Sequence, residues 1–228
     1  MSNILEQLNN EELISKSVSL TEEIKGNFSR MPHNHINVLY VLKEFLGEKC
    51  NTYLEIGVLW GGSLSLVLQH ERNCNHIGVD LFTNHNWEHN DMNVVKENVD
   101  RVNKHGHDFN LIKGDCCSYE TLNTVKECTP NGIDLLFIDG DHSTPAVIRD
   151  FLAYKDFVNS GGFIVFDDYG FLPEVKQAID IMIGGSKKII TEEEFELVGQ
   201  LDLGEGSSDI GDLYLNNGLN ASYIIRKK

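Results

Sequence analysis

From residue 52 onward, short unbroken apolar runs alternate with longer stretches whose apolar positions recur at helical spacing. Unbroken runs of this length predict strands buried on both faces, at 52–56 (TYLEI), 76–80 (HIGVD), 109–113 (FNLIK), 133–138 (IDLLFI) and 162–166 (GFIVF). The intervening segments predict helices near 62–71, 91–104, 118–127, 144–158 and 173–183. Strands separated in this way by helices belong to a parallel sheet with helices on both faces. KKIIT (187–191) reads as a sixth strand and ASYIIRK (221–227) as a seventh. The expected fold is α/β, a Rossmann-like doubly wound sheet of about seven mostly parallel strands. The Gly- and acid-rich LGEGSSDIGD (203–212) reads as an irregular excursion, and the pattern assigns no role to 191–220.

Residues 1–48 read differently. Ile4, Leu5 and Leu8, and later Val38, Leu39, Leu42, Phe45 and Leu46, recur at i, i+3, i+4, i+7 spacing. Pro32 suits the first turn of the second helix, where its missing N–H costs nothing. The chain therefore divides into a helical extension (1–48) and an α/β domain (49–228). Packing on the sheet, a lid and a dimer surface supporting a homo-oligomer are all open for the extension.

Composition narrows the partners. The 228 residues contain no apolar run of about 18 or more, so no membrane-spanning helix is expected. The opening MSNILEQLNNEELISKS lacks the basic start and apolar stretch of a signal peptide, which makes the cytoplasm the expected location. The net charge of −16 comes from 35 acidic against 19 basic residues, and the basic pairs are only Lys187-Lys188 and Lys227-Lys228. Such a surface repels a phosphate backbone, so a small molecule is expected as partner rather than nucleic acid or membrane. The five cysteines form no CxxC and no metal-finger spacing, so they read as reduced thiols and zinc held by cysteine is disfavoured.

The candidate chemistry lies where the strands end. After the first, Glu55 is followed by Gly57 and by Gly61-Gly62-Ser63, a turn in which glycine lets the backbone approach a ligand. Amides at the start of the next helix suit an anion, and Ser63 also suits the cap of that helix. The spacing is not the dinucleotide fingerprint, because position 59 is Leu. Asp80 ends the second strand, where an acid accepts from ribose hydroxyls or forms a turn. Asp115, in Lys113-Gly114-Asp115, can meet an adenine amino group or cap the helix near 118.

Asp139 ends the fourth strand, and Asp167 and Asp168 end the fifth. If these strands are neighbours their ends lie about 5 Å apart, and three carboxylates there repel one another unless neutralised. Oxygen ligands of this kind favour Mg²⁺, or Mn²⁺ and Ca²⁺, over zinc. The alternatives are a turn at Asp139-Gly140, a helix cap, or an acid that touches the ligand without a metal. His142 follows Asp139 by three residues, and a histidine there can take a hydroxyl proton or merely brace the turn. Asp141 stands beside it, placed to orient the imidazole or to interact with the ligand.

In this order, E-x-G-x-x-x-G-G-S, G-V-D, G-D, F-I-D-G-D-H and G-G-F-I-V-F-D-D resemble the class I S-adenosylmethionine (SAM)-dependent methyltransferases over roughly 50–170. Within them the chain is similar to small-molecule O-methyltransferases of the macrolide-sugar type and to cephalosporin hydroxylase-like proteins. The resemblance implies SAM as cofactor, held by Glu55, Gly57, Gly61, Ser63, Asp80, Asp115 and Asp139. It implies metal ligands at Asp139, Asp167 and Asp168, where the sugar enzymes often carry Glu at the position of Asp167. It implies a catalytic role for His142 as base, with Asp139. The expected reaction is O-methylation of a small hydroxylated acceptor, such as a sugar or natural-product hydroxyl. The alternatives are a metal-independent methyltransferase and a SAM-binding protein without catalysis. A nicotinamide oxidoreductase is disfavoured by the glycine spacing and by the lack of a Tyr-x-x-x-Lys pair.

Three further readings stand. His85, Trp87 and His89 sit in a polar loop at the ligand edge, more suited to enclosing a ligand than to holding zinc. Adjacent Cys116 and Cys117 read as small apolar packing. Tyr169 lines the acceptor pocket or packs in the core.

Overall fold

The computed structural model describes residues 4, 8–25, 36–83, 91–201 and 222–228. The expectations for Pro32, for His85, Trp87 and His89, and for 203–212 lie outside these residues.

Two helices, α1 (Glu11–Lys25) and α2 (Asn37–Leu46), precede the first strand. There follow β1 (Thr52–Ile56), α3 (Gly62–Val67), β2 (Asn75–Asp80), α4 (Met92–Val102), β3 (Phe109–Lys113), α5 (Tyr119–Cys128) and β4 (Ile133–Ile138). The chain continues through α6 (Thr144–Tyr154), β5 (Val158–Phe166), α7 (Pro173–Gly184), β6 (Phe195–Leu201) and β7 (Ser222–Lys227). One seven-stranded sheet results, in the order β3-β2-β1-β4-β5-β7-β6. β1 to β5 are parallel, while β7 runs antiparallel to both β5 and β6.

The central strands β1 and β4 are buried at every position because each face meets helices. On β1 the Tyr53 side shares a core with Val38 and Leu39 of α2, Leu64 of α3 and Val95 of α4. The alternate residues Leu54 and Ile56 share the opposite core with Val147 and Phe151 of α6 and Ile179 of α7. The N-terminal segment contributes to the first of these cores. Phe45 meets Phe163 of β5 edge-on at 5.7 Å between ring centres.

Local chemistry fixes the helix starts. Asp91 and Ser118 cap α4 and α5 through bonds from the amides of Asn93 and Thr121. Pro173 opens α7. α3 is shorter than its apolar pattern suggests and ends at Val67.

One strand is corrected. Residues 187–191 are not in the sheet; the sixth strand is Phe195–Leu201. The amides of Ile189 and Ile190 both donate to the Met182 carbonyl, so this apolar pair folds back over the end of α7 and buries Ile190 there.

Candidate active site

The carboxyl ends of β1, β4 and β5 continue their ladders by one residue. Asp139 N donates to Ile56 O at 2.8 Å, and Asp167 N to Ile138 O at 3.0 Å. Gly57, Asp139 and Asp167 are therefore adjacent along one sheet edge, where open α/β sheets bind their ligands. Gly57 has φ +85°, and a Cβ there would stand 1.9 Å from the Asp139 carbonyl oxygen. Only glycine lets β1 and β4 approach so closely at this edge.

Gly61 is also left-handed, and a Cβ on it would meet Val99 at 2.6 Å. Between the two glycines the loop is held from β2. Asp80 Oδ2 accepts from the amides of Val58 (2.8 Å) and Leu59 (3.1 Å), and its Oδ1 accepts from Phe82 N. Leu59 and Phe82, the residues flanking this clasp, both have positive φ, a strained conformation for bulky side chains. Strain of that kind survives only where surrounding bonds enforce it. The Asp80 carboxylate is thus a loop fastener as well as a strand-end acid.

Beneath the loop, Glu55 is fully buried. Tyr53, two residues earlier on the same face, donates to its Oε2 at 2.6 Å. Oε1 has no hydrogen-bond partner within bonding distance. Burial pushes the Glu55 carboxyl up to about 8, against the lowering effect of Tyr53 and Ser63, so it is mostly protonated at neutral pH. The Tyr53–Glu55 pair is readable in the sequence as a Tyr-x-Glu on one strand face, a signal the glycine pattern overshadows.

At the β3 rim Asp115 is exposed, accepts from Cys117 N at 3.0 Å, and stands 3.9 Å from Arg149. Lys113, Gly114, Asp115, Ser118 and Thr121 line a depression of about 310 Å³. Cys116 and Cys117 are more than apolar filler. Both thiols donate to one oxygen of buried Asp150, at 3.3 and 3.2 Å, and Arg149 donates to that oxygen too. Burial pushes the Cys117 thiol up to about 11, and Cys116 higher still.

The acidic constellation assembles differently from the expectation. His142 Nε2 lies 3.1 Å from Asp139 Oδ1 and 3.4 Å from Asp168 Oδ2. Ligand atoms of Asp139, His142 and Asp168 all fall within 4.8 Å of one another, a spacing that one metal ion can span. Exposure is graded, at 43% for His142, 29% for Asp139 and 14% for Asp168. Asp168 reaches the group because its φ is +54°, a turn that Asp tolerates better than most residues. Asp167 is not in the trio. It is buried and accepts from Ser222 of β7 at 3.4 Å. Asp141 accepts from Ser143 N, which holds its carboxyl below the usual range, with His142 a lesser influence. Tyr169 packs against Tyr223 with 4.8 Å between ring centres, and Lys176 sits over its ring.

A family model described as "Methyltransferase domain" matches residues 54–169, which run from β1 to just past the Asp167-Asp168 pair. This chain belongs to the methyltransferase-domain family. The class I methyltransferase resemblance read from the motifs is borne out, both as fold and as enzyme class. An uncharacterised protein of Acanthamoeba polyphaga mimivirus, R132, is 35% identical over 209 residues, covering 89% of this chain and 91% of its own. Among solved structures, the fold is similar to an O-methyltransferase from Bacillus cereus in complex with SAH (14% identity, TM-score 0.59, 96% of this chain and 92% of that one). It is also similar to the MycE methyltransferase of the mycinamycin biosynthetic pathway, in complex with Mg and SAH. There the identity is 17% and the TM-score 0.54, over 92% of this chain and 54% of that one. Among the described residues of the methyltransferase, no helix is long and apolar enough to cross a membrane.

Proposed function

We propose that this methyltransferase uses SAM to methylate a hydroxyl oxygen of a small acceptor, with His142 as general base. The observation that carries this reading is the imidazole of His142 set against two carboxylates at the ligand-binding edge. The residues around the β1 turn fit the cofactor. Gly57 and Gly61 leave the loop without side chains, Asp80 and Asp115 are strand-end acids on neighbouring strands, and Glu55 offers an unpaired buried oxygen under the loop. When bound, SAM supplies an electrophilic methyl group. SAH in the Bacillus cereus and MycE structures supports the same choice.

The chain's own residues supply alignment and proton removal. With Nε2 turned to Asp139 and Asp168, Nδ1 is the ring nitrogen that takes the acceptor proton. The two carboxylates fix the ring and stabilise the imidazolium that forms, the logic of an acid–imidazole pair. The acidic edge and the net charge of −16 favour a small acceptor over nucleic acid.

A second reading involves a divalent cation, favoured by the convergence of Asp139, Asp168 and His142. Two carboxylates at a partly exposed site suit Mg²⁺ or Mn²⁺. Asp139 and Asp168 would hold such a cation, and when bound it would supply Lewis-acid lowering of an acceptor hydroxyl's pKa. Mg in the MycE structure supports this reading. The test is a panel of sugar and phenol hydroxyls incubated with SAM, with and without EDTA, with products followed by mass spectrometry. A methyl ether supports O-methylation, and its loss in EDTA supports the cation. SAH binding without transfer to any acceptor supports a non-catalytic SAM binder instead.

A further inference from the structure

At the opposite edge of the sheet, before β1 and β2 begin, a second cluster of reactive groups takes no part in the reading above. Lys43 of α2 is only 2% exposed. Its ammonium donates to the Val67 carbonyl at 3.1 Å and to His76 Nε2 at 2.8 Å. His76 is fully buried, and its Nδ1 faces the Asp108 carbonyl at 3.3 Å, which leaves Nε2 as the acceptor. The same Nε2 lies 3.3 Å from Cys74 Sγ. Burial lowers the Lys43 pKa, and the neighbouring Cys74 and Cys50 thiols act against that lowering.

We propose that Cys74 is a reactive thiol that hydrogen peroxide oxidises, and that Cys50 closes the product as a disulfide. Two features set the roles. Cys74 is half-buried between exposed Asn73 and half-buried Asn75, whereas Cys50 is 6% exposed, so peroxide meets Cys74 first. The Cys50 hydrogen bond, then His76 and Lys43, hold the Cys74 thiol well below the usual range, while Cys50 is held protonated. The backbone brings the two together. Asn75 N donates to Asn51 O at 2.8 Å, and Thr52 pairs with Asn75. Strand spacing and rise then put the Cys50 and Cys74 Cα atoms about 6 Å apart, within disulfide range.

The chemistry balances. The Cys74 thiolate attacks one oxygen of the peroxide, an S–O bond forms and the O–O bond breaks. The departing hydroxide takes a proton from the Lys43–His76 pair and leaves as water. The Cys50 thiol then attacks the sulfenic acid, an S–S bond forms, and a second water carries away its oxygen. Two thiols lose two electrons, and one peroxide becomes two waters. This site is independent of the proposed methyl transfer, and neither outcome bears on the other.

Iodoacetamide labelling of the full chain at pH 6, mapped by peptide mass spectrometry, tests the reactivity. Cys74 should label at least about tenfold faster than Cys128, since thiolate fraction controls the rate. Lys43→Gln should slow Cys74 by a similar factor and leave Cys128 unchanged, which also reports an intact fold. Hydrogen peroxide should yield a Cys50–Cys74 linked peptide in wild type, and a dimedone adduct on Cys74 in Cys50→Ser. Equal labelling of Cys74 and Cys128 in wild type, or peroxide oxidation beginning at Cys116 or Cys117, overturns the proposal.

Discussion

His142 Nε2 stands 3.1 Å from Asp139 Oδ1, a contact between the last residue position of β4's ladder and the turn that enters α6. The three-residue separation makes the contact local, so it forms whenever the turn forms. Asp168 joins it from the next strand at 3.4 Å. If this group is a base held by two acids, His142→Ala should leave cofactor affinity nearly unchanged and lower kcat by roughly 10²–10⁴. Raising the pH should partly restore the variant, because hydroxide replaces the missing base. Steady-state kinetics on an acceptor from the hydroxyl panel checks this. Wild-type kcat in His142→Ala would assign the imidazole to structure.

The cation reading is tested without turnover. Mn²⁺ titrated into the protein and followed by electron paramagnetic resonance should bind in wild type. Asp168→Asn and Asp139→Asn should each weaken it by about tenfold or more, the loss of one charged ligand. Asp167→Asn should weaken it less, because Asp167 faces Ser222 rather than the trio. Equal losses at Asp167 and Asp168 would restore the ligand set expected from the family motif.

Glu55 gives a pH dependence with a definite sign. Its folded pKa of about 8 lies above the ordinary carboxyl value of 4.5, so the folded state holds the proton more tightly. The stability it contributes is present below the unfolded pKa and is lost as pH rises through about 4.5 to 8. Glu55→Gln keeps the shape and removes the titration. In urea melts at pH 5 and pH 8, wild type should lose more stability than the variant, by an amount on the order of a few kcal/mol. Identical losses in both proteins would place a charged Glu55 in the fold.

Gly57→Ala should destabilise the sheet edge. The added Cβ meets the Asp139 backbone, which cannot swing away, at a φ that alanine resists. A cost of at least about 2 kcal/mol is expected, or about 4–8 °C in Tm for a chain of this size. An unchanged melting temperature would contradict the close approach of β1 and β4.

β1, β2, β4 and the second half of β5 are legible in the sequence because they are buried on both faces, so TYLEI or IDLLFI needs no alternation to be recognised, while β3 is a half-exposed edge strand. β6 is not legible, since FELVGQL is an edge strand whose Glu196, Leu197 and Gln200 face solvent and whose pairing shifts register around Val198. KKIIT carries the β-branched pair Ile189-Ile190, and it wraps a helix end instead. The site divides in the same way. Asp139, His142 and Asp168 follow from strand ends and a local turn. The burial of Asp167 depends on β7, more than fifty residues on, and the bond from Lys43 to His76 joins a helix to a distant strand. Pairings of that kind leave no local pattern to read.

The central claim is that the Gly57–Ser63 turn and Asp80 hold an adenosyl cofactor of the SAM type. Calorimetric titration of the intact protein with S-adenosylhomocysteine tests it most directly. Wild type should bind saturably, and Asp80→Ala should lose about 1.5–3 kcal/mol, the range for a charged hydrogen bond. Saturable binding of NADH with no heat from S-adenosylhomocysteine would contradict it.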